Sequence, residues 1–98
     1  MPGPRYGKSR DHNEPDIIEA LNEIEGVTVI KLDWPCDLLV GYMARNILLE
    51  VKVPGKENRK DQWQQAEWRK DWPGQIQVVT TPEQAVYCVT NCYREERD

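Results

Sequence analysis

Two nearly continuous apolar runs, joined by a short polar connection, constrain the fold of this chain most strongly. They cover residues 37–42 and 46–53, and each is short enough to be a single strand. Strands of this composition are typical of sheets that are covered on both faces, because nearly every side chain must be kept from water. We therefore predict that the two runs are neighbouring strands of a sheet flanked by helices.

The rest of the chain alternates between helix and strand signals. An N-cap at Asn13 and a stop at Gly26 bound a first amphipathic helix, and Thr81-Pro82 opens the last helix. The predicted elements are, in chain order, a helix over 13–26, strands over 27–31, 37–42 and 46–53, a helix over 59–72, a strand over 75–80 and a helix from 81. This order, α-β-β-β-α-β-α, predicts one α/β domain with a mixed four-stranded sheet.

Length and composition fit one such domain. The chain has 98 residues, of which 39% are hydrophobic, and no apolar run approaches the roughly 20 residues that a membrane span requires. Three cysteines and one histidine favour a reducing compartment and argue against a disulfide framework or a zinc site. We expect a cytoplasmic protein with a flexible basic arm over 1–12, a folded domain over 13–92 and a charged tail over 93–98.

Charge is unevenly distributed along the chain. The net charge of −4 argues against indiscriminate binding of nucleic acid. Residues 1–10, however, contain three bases and no acid, residues 11–26 contain six acids and no base, and residues 52–60 contain four bases and one acid. Basic segments beside an acidic cluster are typical of a metal-dependent site that acts on a phosphate backbone, although an ordinary solvated surface gives the same pattern.

A group of charged residues interrupts the two apolar runs. Glu50 and Lys52 are two positions apart and therefore share a face of their strand. A hairpin around a four-residue connection pairs Tyr42 with Ile47. Asp37 then lies opposite Lys52 and diagonal to Glu50. Buried charges are stable when they pair with each other or bind a metal, so a salt bridge and a Mg²⁺ site are both consistent with this arrangement.

These residues and this order of elements resemble the PD-(D/E)XK nuclease superfamily. The segments CDLLVG at 36–41 and LLEVK at 48–52 are more narrowly similar to stand-alone enzymes of the VRR-NUC and archaeal Holliday-junction-resolvase type. The resemblance covers about residues 13–90 and implies an αβββαβ core like that of restriction endonucleases. One departure is that the proline usually found before the aspartate is Cys36 here, with Pro35 one residue early. Because that proline is structural, the expected metal site is unaffected.

The resemblance implies a role for each residue of the motif. Asp37 and Glu50 are expected to bind Mg²⁺ or Mn²⁺ together with the Val51 carbonyl. Lys52 is then the catalytic lysine, which assists a metal-activated water in attacking the phosphodiester.

The resemblance also adds residues from flanking segments. Glu14 matches a glutamate at the start of the first helix and is expected to be a further metal ligand. Gln65 matches a catalytic glutamine in the helix after the motif strand, and Gln62 is an alternative register for it. Phosphate contacts are expected from five bases in the arm and just past the motif strand, namely Lys8, Arg10, Lys56, Arg59 and Lys60.

The function predicted in this way is a metal-dependent DNA endonuclease, without an organic cofactor, in replication, repair or recombination; a phage or prophage origin is left open. A domain this small has little surface for reading bases, so branched, junction or flap DNA is the expected target, with Trp34 and Tyr42 near it. Cutting both strands requires two active sites, so we predict a homodimer whose interface is the helix around 63–72 or the last helix. The alternatives are a nuclease-like fold that binds nucleic acid or protein without cutting, and a small interaction module held by salt bridges.

Overall fold

The computed structural model describes residues 11–55 and 63–97, with side chains described for 11–55 and 67–91. Its elements are, in chain order, α1 (Glu14–Asn22), β1 (Thr28–Lys31), β2 (Leu38–Tyr42), β3 (Arg45–Val51), α2 (Trp63–Asp71), β4 (Gln77–Val79) and α3 (Pro82–Arg97). This order confirms the predicted succession of helices and strands. Residues 1–10 of the basic arm predicted over 1–12, and the first residues of the helix predicted over 59–72, lie outside the described residues.

The four strands form one mixed sheet in the order β1-β2-β3-β4. Strands β1, β2 and β3 are successive antiparallel neighbours, which short connections allow. Strand β4 runs parallel to β3, with Glu50 opposite Val78. A parallel neighbour requires a crossover connection, and α2 lies within that connection. The predicted α/β domain with a mixed four-stranded sheet is therefore confirmed.

The hairpin between β2 and β3 is tighter than predicted. Tyr42 pairs with Arg45, and the turn consists of Met43 and Ala44, both at positive φ (54° and 63°). Two-residue hairpin turns need such backbone angles, but Asn or Gly normally signals them and neither is present in this turn. The predicted pairing of Tyr42 with Ile47 is therefore wrong by two positions. Because side chains alternate with a period of two, each strand keeps its predicted faces.

One face of the sheet carries the hydrophobic core, which α1 and α3 cover. The fully buried residues of this core include Ile17, Leu21, Leu38, Val40, Ile47, Leu49, Ala85 and Val89. The two helical residues of α1 in this set, Ile17 and Leu21, are four positions apart and so lie on one helical face, as predicted. This packing fixes α1 over the sheet.

The opposite face of the sheet is less completely covered than predicted. Ile30, Leu39 and Leu48 lie side by side across β1, β2 and β3 on this face. Ile30 is 51% exposed and the two leucines are half-buried. Strand β1 is an edge of the sheet, and both α1 and α3 pack on the other side. Among the described residues on this face, burial is nearly complete only at the end of the sheet where Glu50 lies.

Helix α3 begins as the sequence predicts. The Gln84 backbone N–H donates to the Thr81 hydroxyl at 3.1 Å, and Pro82 is the first helical residue. The Gln84 side chain in turn accepts a hydrogen bond from the Thr80 N–H at 2.8 Å. The helix continues to Arg97, so most of the residues predicted as a charged tail belong to it. Among the helices that the structure describes, none has the length and apolar composition of a membrane span.

Candidate functional site

Four charged side chains are buried in the described part of this small domain. Glu14 is 2% exposed, Asp37 6%, Glu50 1% and Lys52 1%. Removing an ion from water costs several kcal/mol unless another charge and hydrogen bonds compensate for it. Three of these groups are acids and one is a base, so negative charge is in excess among them. A bound cation is one way to balance such an excess.

Asp37 directly precedes β2 and lies next to Glu50 on β3. The observed register ends with Leu38 opposite Leu49, and its continuation by one residue brings Asp37 beside Glu50, not opposite Lys52 as predicted from the sequence. The Asp37 N–H donates to the Leu49 carbonyl at 3.2 Å, and Asp37 Oδ2 accepts a hydrogen bond from the Val51 N–H at 2.8 Å. The Asp37 carboxylate thus accepts, just before β2 begins, a hydrogen bond from β3 that a backbone carbonyl would accept within a regular strand pair. This contact fixes the orientation of the carboxylate.

Glu50 and Lys52 form a buried ion pair. The Lys52 Nζ atom lies 2.6 Å from Glu50 Oε2, and both side chains are 2% exposed. The pair follows from strand geometry, because residues two apart share a face. The Lys52 backbone N–H donates to the Val79 carbonyl at 3.0 Å, which extends the pairing of β3 with β4 by one residue. This extension keeps the lysine in line with the strand and close to Glu50.

The Val51 carbonyl lies on the same side of β3 as Asp37. In a strand the N–H and C=O of one residue point to the same neighbour, and the Val51 N–H donates to Asp37. One end of the sheet therefore presents two adjacent carboxylates, a backbone carbonyl and an ammonium group. Carboxylate and carbonyl oxygens are the ligands that Mg²⁺ and Mn²⁺ prefer, and Mg²⁺ commonly binds one or two carboxylates while keeping several waters. The residues present fit such a cation.

Glu14 is buried at the first position of α1, where the sequence predicts a third acidic ligand. It lines a cleft of about 750 Å³ beside α1, together with residues that include His12, Ile18 and Lys31. Among the side chains that the structure describes, those of 11–55 and 67–91, no three His, Cys, Asp or Glu lie close enough together to hold one metal ion. The structure therefore brings Asp37 and Glu50 together, but it does not add Glu14 to them as a third direct ligand.

The other predicted site residues lie outside the described part of the chain or away from this group. The backbone of Gln65 belongs to α2, but its side chain is among those not described. Gln62 and the five predicted phosphate contacts, Lys8, Arg10, Lys56, Arg59 and Lys60, lie outside the described residues.

Two aromatic residues were predicted to lie near the site, and for one of them, Tyr42, the structure contradicts the prediction. Tyr42 is at the hairpin end of β2, five positions from Asp37, which corresponds to about 17 Å along an extended strand. Its predicted proximity to the site is therefore wrong, because both residues belong to one straight run. Trp34 is 55% exposed and precedes Asp37 by three residues, in the connection between β1 and β2.

Asn13 has a role that its local sequence does not indicate. It occupies the N-cap position of α1 as predicted, but its side chain makes no capping hydrogen bond. The side-chain amide instead donates to the carbonyl of Lys52 at 3.1 Å and to that of Thr80 at 2.8 Å. These partners are 39 and 67 residues away along the chain, so only the tertiary structure identifies the contacts.

The same geometry is consistent with a structural role for the buried charges. The Glu50–Lys52 pair and the Asp37–Val51 hydrogen bond supply partners from within the chain.

Comparisons with protein-family models, with curated proteins and with solved structures found no match. The resemblance to PD-(D/E)XK nucleases therefore stays a prediction from the segments at 36–41 and 48–52 and from the order of the elements.

Proposed function

We propose that the protein is a Mg²⁺- or Mn²⁺-dependent endonuclease that hydrolyses phosphodiester bonds in DNA. The observation that carries this proposal is the buried group of Asp37, Glu50 and Lys52 at one end of the sheet. The order of the elements and the mixed sheet are compatible with a core like that of restriction endonucleases. In the nuclease family that the chain resembles, this end of the sheet carries the catalytic residues.

Each residue of this group would have a separate role in the reaction. Asp37, Glu50 and the Val51 carbonyl would hold the cation, and the Val51 N–H keeps the Asp37 carboxylate in place. Bound there, the cation supplies a Lewis acid that polarises the phosphate and favours ionisation of the attacking water. The Lys52 ammonium group, held by Glu50 at 2.6 Å, would hydrogen-bond a phosphate oxygen and stabilise the charge that develops on it.

We propose branched, junction or flap DNA as the substrate class, because so small a domain offers little surface for reading a base sequence. Trp34, which is exposed and precedes Asp37 by three residues, would provide an aromatic face on which a splayed base can stack. Two strands would be cut by a homodimer, and α2 together with Trp72, the residue that follows it, offers an aromatic surface for its interface. Trp68 and Trp72 stack with ring centroids 5.0 Å apart, and Trp72 is 40% exposed.

Cleavage of matched DNA substrates tests this proposal. A four-way junction, a flap, a duplex and a single strand are each incubated with protein and with Mg²⁺, Mn²⁺ or EDTA. We expect metal-dependent cleavage, strongest on the branched substrates, and a loss of about 100-fold or more in rate for Asp37→Asn and Glu50→Gln. Asp16→Asn is the matched control, since it removes an exposed acid from α1 and should leave the rate unchanged. Equal activity of all four proteins would assign the cleavage to a contaminant.

A small interaction module without catalysis is the second candidate. It is favoured by the Glu50–Lys52 pair and by the hydrogen bond from Val51 to Asp37, which stabilise the charges without a metal. The two candidates differ in how metal affects stability. The melting temperature of the nuclease rises with added Mn²⁺, and the rise disappears in Glu50→Gln. The interaction module shows no such rise, and a nuclease-like fold without activity would bind Mn²⁺ or DNA but not cut.

A further inference from the structure

Asn13 connects the start of α1 to the ends of two strands. Its amide nitrogen donates to the carbonyl of Lys52 at 3.1 Å and to the carbonyl of Thr80 at 2.8 Å. Lys52 directly follows β3, and Thr80 directly follows β4. One half-buried side chain therefore joins three elements at the end of the sheet that carries Glu50 and Lys52.

This placement differs from that of an ordinary helix cap. The Asn13 side chain makes no capping hydrogen bond, and the first turn of α1 is instead closed by backbone contacts such as that from Glu14 N–H to Asp11 O at 3.0 Å. The Asn13 Oδ1 atom is buried and accepts no hydrogen bond from any residue that the structure describes. Asn13 therefore contributes to the structure through the two hydrogen bonds that its amide nitrogen donates.

We propose that Asn13 is a positioning residue for the candidate metal site. By binding the Lys52 and Thr80 carbonyls, it fixes Glu14, the next residue along the chain, relative to Glu50 and Lys52. Glu14 is buried but not grouped with the other two acids as a direct ligand. Glu14 would thus act on a bound cation electrostatically and through bridging waters, at a distance that the Asn13 contacts set. This inference rests on the proposed function.

The first experiment uses the metal-free protein and does not depend on activity. Scalar couplings across hydrogen bonds, measured by NMR, connect a donor nitrogen to the carbon of the carbonyl that accepts the bond. We expect couplings from Asn13 Nδ2 to the carbonyl carbons of Lys52 and Thr80. If both couplings are absent, the link between α1 and the strand ends is absent too, and the proposal is overturned.

The second experiment compares Mn²⁺ affinities by titration calorimetry. Asn13→Ala should weaken Mn²⁺ binding about tenfold, and Asn13→Ser should give an intermediate loss because a hydroxyl has one donor. Combining Asn13→Ala with Glu14→Gln should weaken binding no further than Glu14→Gln alone, because Asn13 acts through Glu14. Asn22→Ala is the matched control, since it removes an exposed asparagine from the other end of α1.

The outcomes separate this inference from the proposed function. If Asn13→Ala lowers the melting temperature but binds Mn²⁺ like the wild type while folded, Asn13 only stabilises the fold and the inference is overturned. Additive losses in the double variant would overturn the action through Glu14. If the wild type binds no Mn²⁺, the proposed function and the positioning role both fail. If only the Asn13 variants depart from expectation, the proposed function stands.

Discussion

Replacing Lys52 by methionine tests whether the buried charges depend on one another. Lys52 is 1% exposed, and its ammonium group lies 2.6 Å from Glu50 Oε2. Methionine is similar in length and volume but has no charge, so Lys52→Met removes the positive charge with little change in packing. The Glu50 carboxylate then stays buried beside Asp37 after losing its ion-pair partner.

The expected loss of stability follows from the burial of the pair. Removing one partner of a buried ion pair typically costs about 3–5 kcal/mol, because the remaining charge is no longer compensated. Both side chains are 2% exposed, so solvent screening does not reduce this value. A domain of this kind is stable by about 5–15 kcal/mol in total, so the loss is a large part of the whole. Removing both partners, by Glu50→Leu with Lys52→Met, should cost much less than Lys52→Met alone.

Urea denaturation followed by circular dichroism, in EDTA and in Mn²⁺, measures these differences. Lys70→Met is the control, because Lys70 pairs with Glu67 at 3.6 Å with side chains 70% and 55% exposed. Its loss should stay below about 1 kcal/mol. Mn²⁺ should recover part of the stability that Lys52→Met loses, since a cation at the acids replaces the missing charge. A loss for Lys52→Met no larger than that for Lys70→Met would refute the interdependence of the buried charges.

Three further predictions follow from single contacts and backbone angles. Asp37→Ala should destabilise the metal-free protein by about 1–3 kcal/mol, because the buried Val51 N–H loses its acceptor. Asp37→Asn keeps an acceptor and should cost less. Equal losses for the two variants in urea denaturation would count against this hydrogen bond. Met43→Asn combined with Ala44→Gly should raise the melting temperature, because both positions have positive φ, and a lower value would contradict the two-residue turn. Gly26→Ala should cost about 1 kcal/mol, since Gly26 has φ 87°, and an unchanged denaturation midpoint would argue against that backbone angle.

The order of the elements could be predicted from the sequence because each element has a strong local signal. The α3 start shows this most clearly, since Thr81, Pro82 and Gln84 each occupy the position that helix capping favours. The β2–β3 register could not be predicted in the same way. It depends on a turn of Met43 and Ala44 at positive φ, and neither residue type indicates such a turn.

The candidate site could be predicted in part for a similar reason. Glu50 and Lys52 interrupt an apolar run and share a face by strand periodicity alone, so their proximity needed no tertiary information. The place of Glu14 depends on how α1 packs on the sheet, and the contacts of Asn13 depend on strand ends far away along the chain. Periodicity and capping patterns carry no information about either.

Paramagnetic broadening by Mn²⁺ tests the central claim, which is that a divalent cation binds between Asp37 and Glu50. Small amounts of Mn²⁺ are added to ¹⁵N-labelled protein, and broadening of each backbone amide signal reports its distance from the bound ion. We predict that the signals of Asp37, Val51 and Lys52 broaden first and that Glu50→Gln abolishes the effect. The signal of Tyr42, about 17 Å along β2 from Asp37, should stay sharp. Broadening that is uniform, or confined to the cleft beside α1, would contradict the claim.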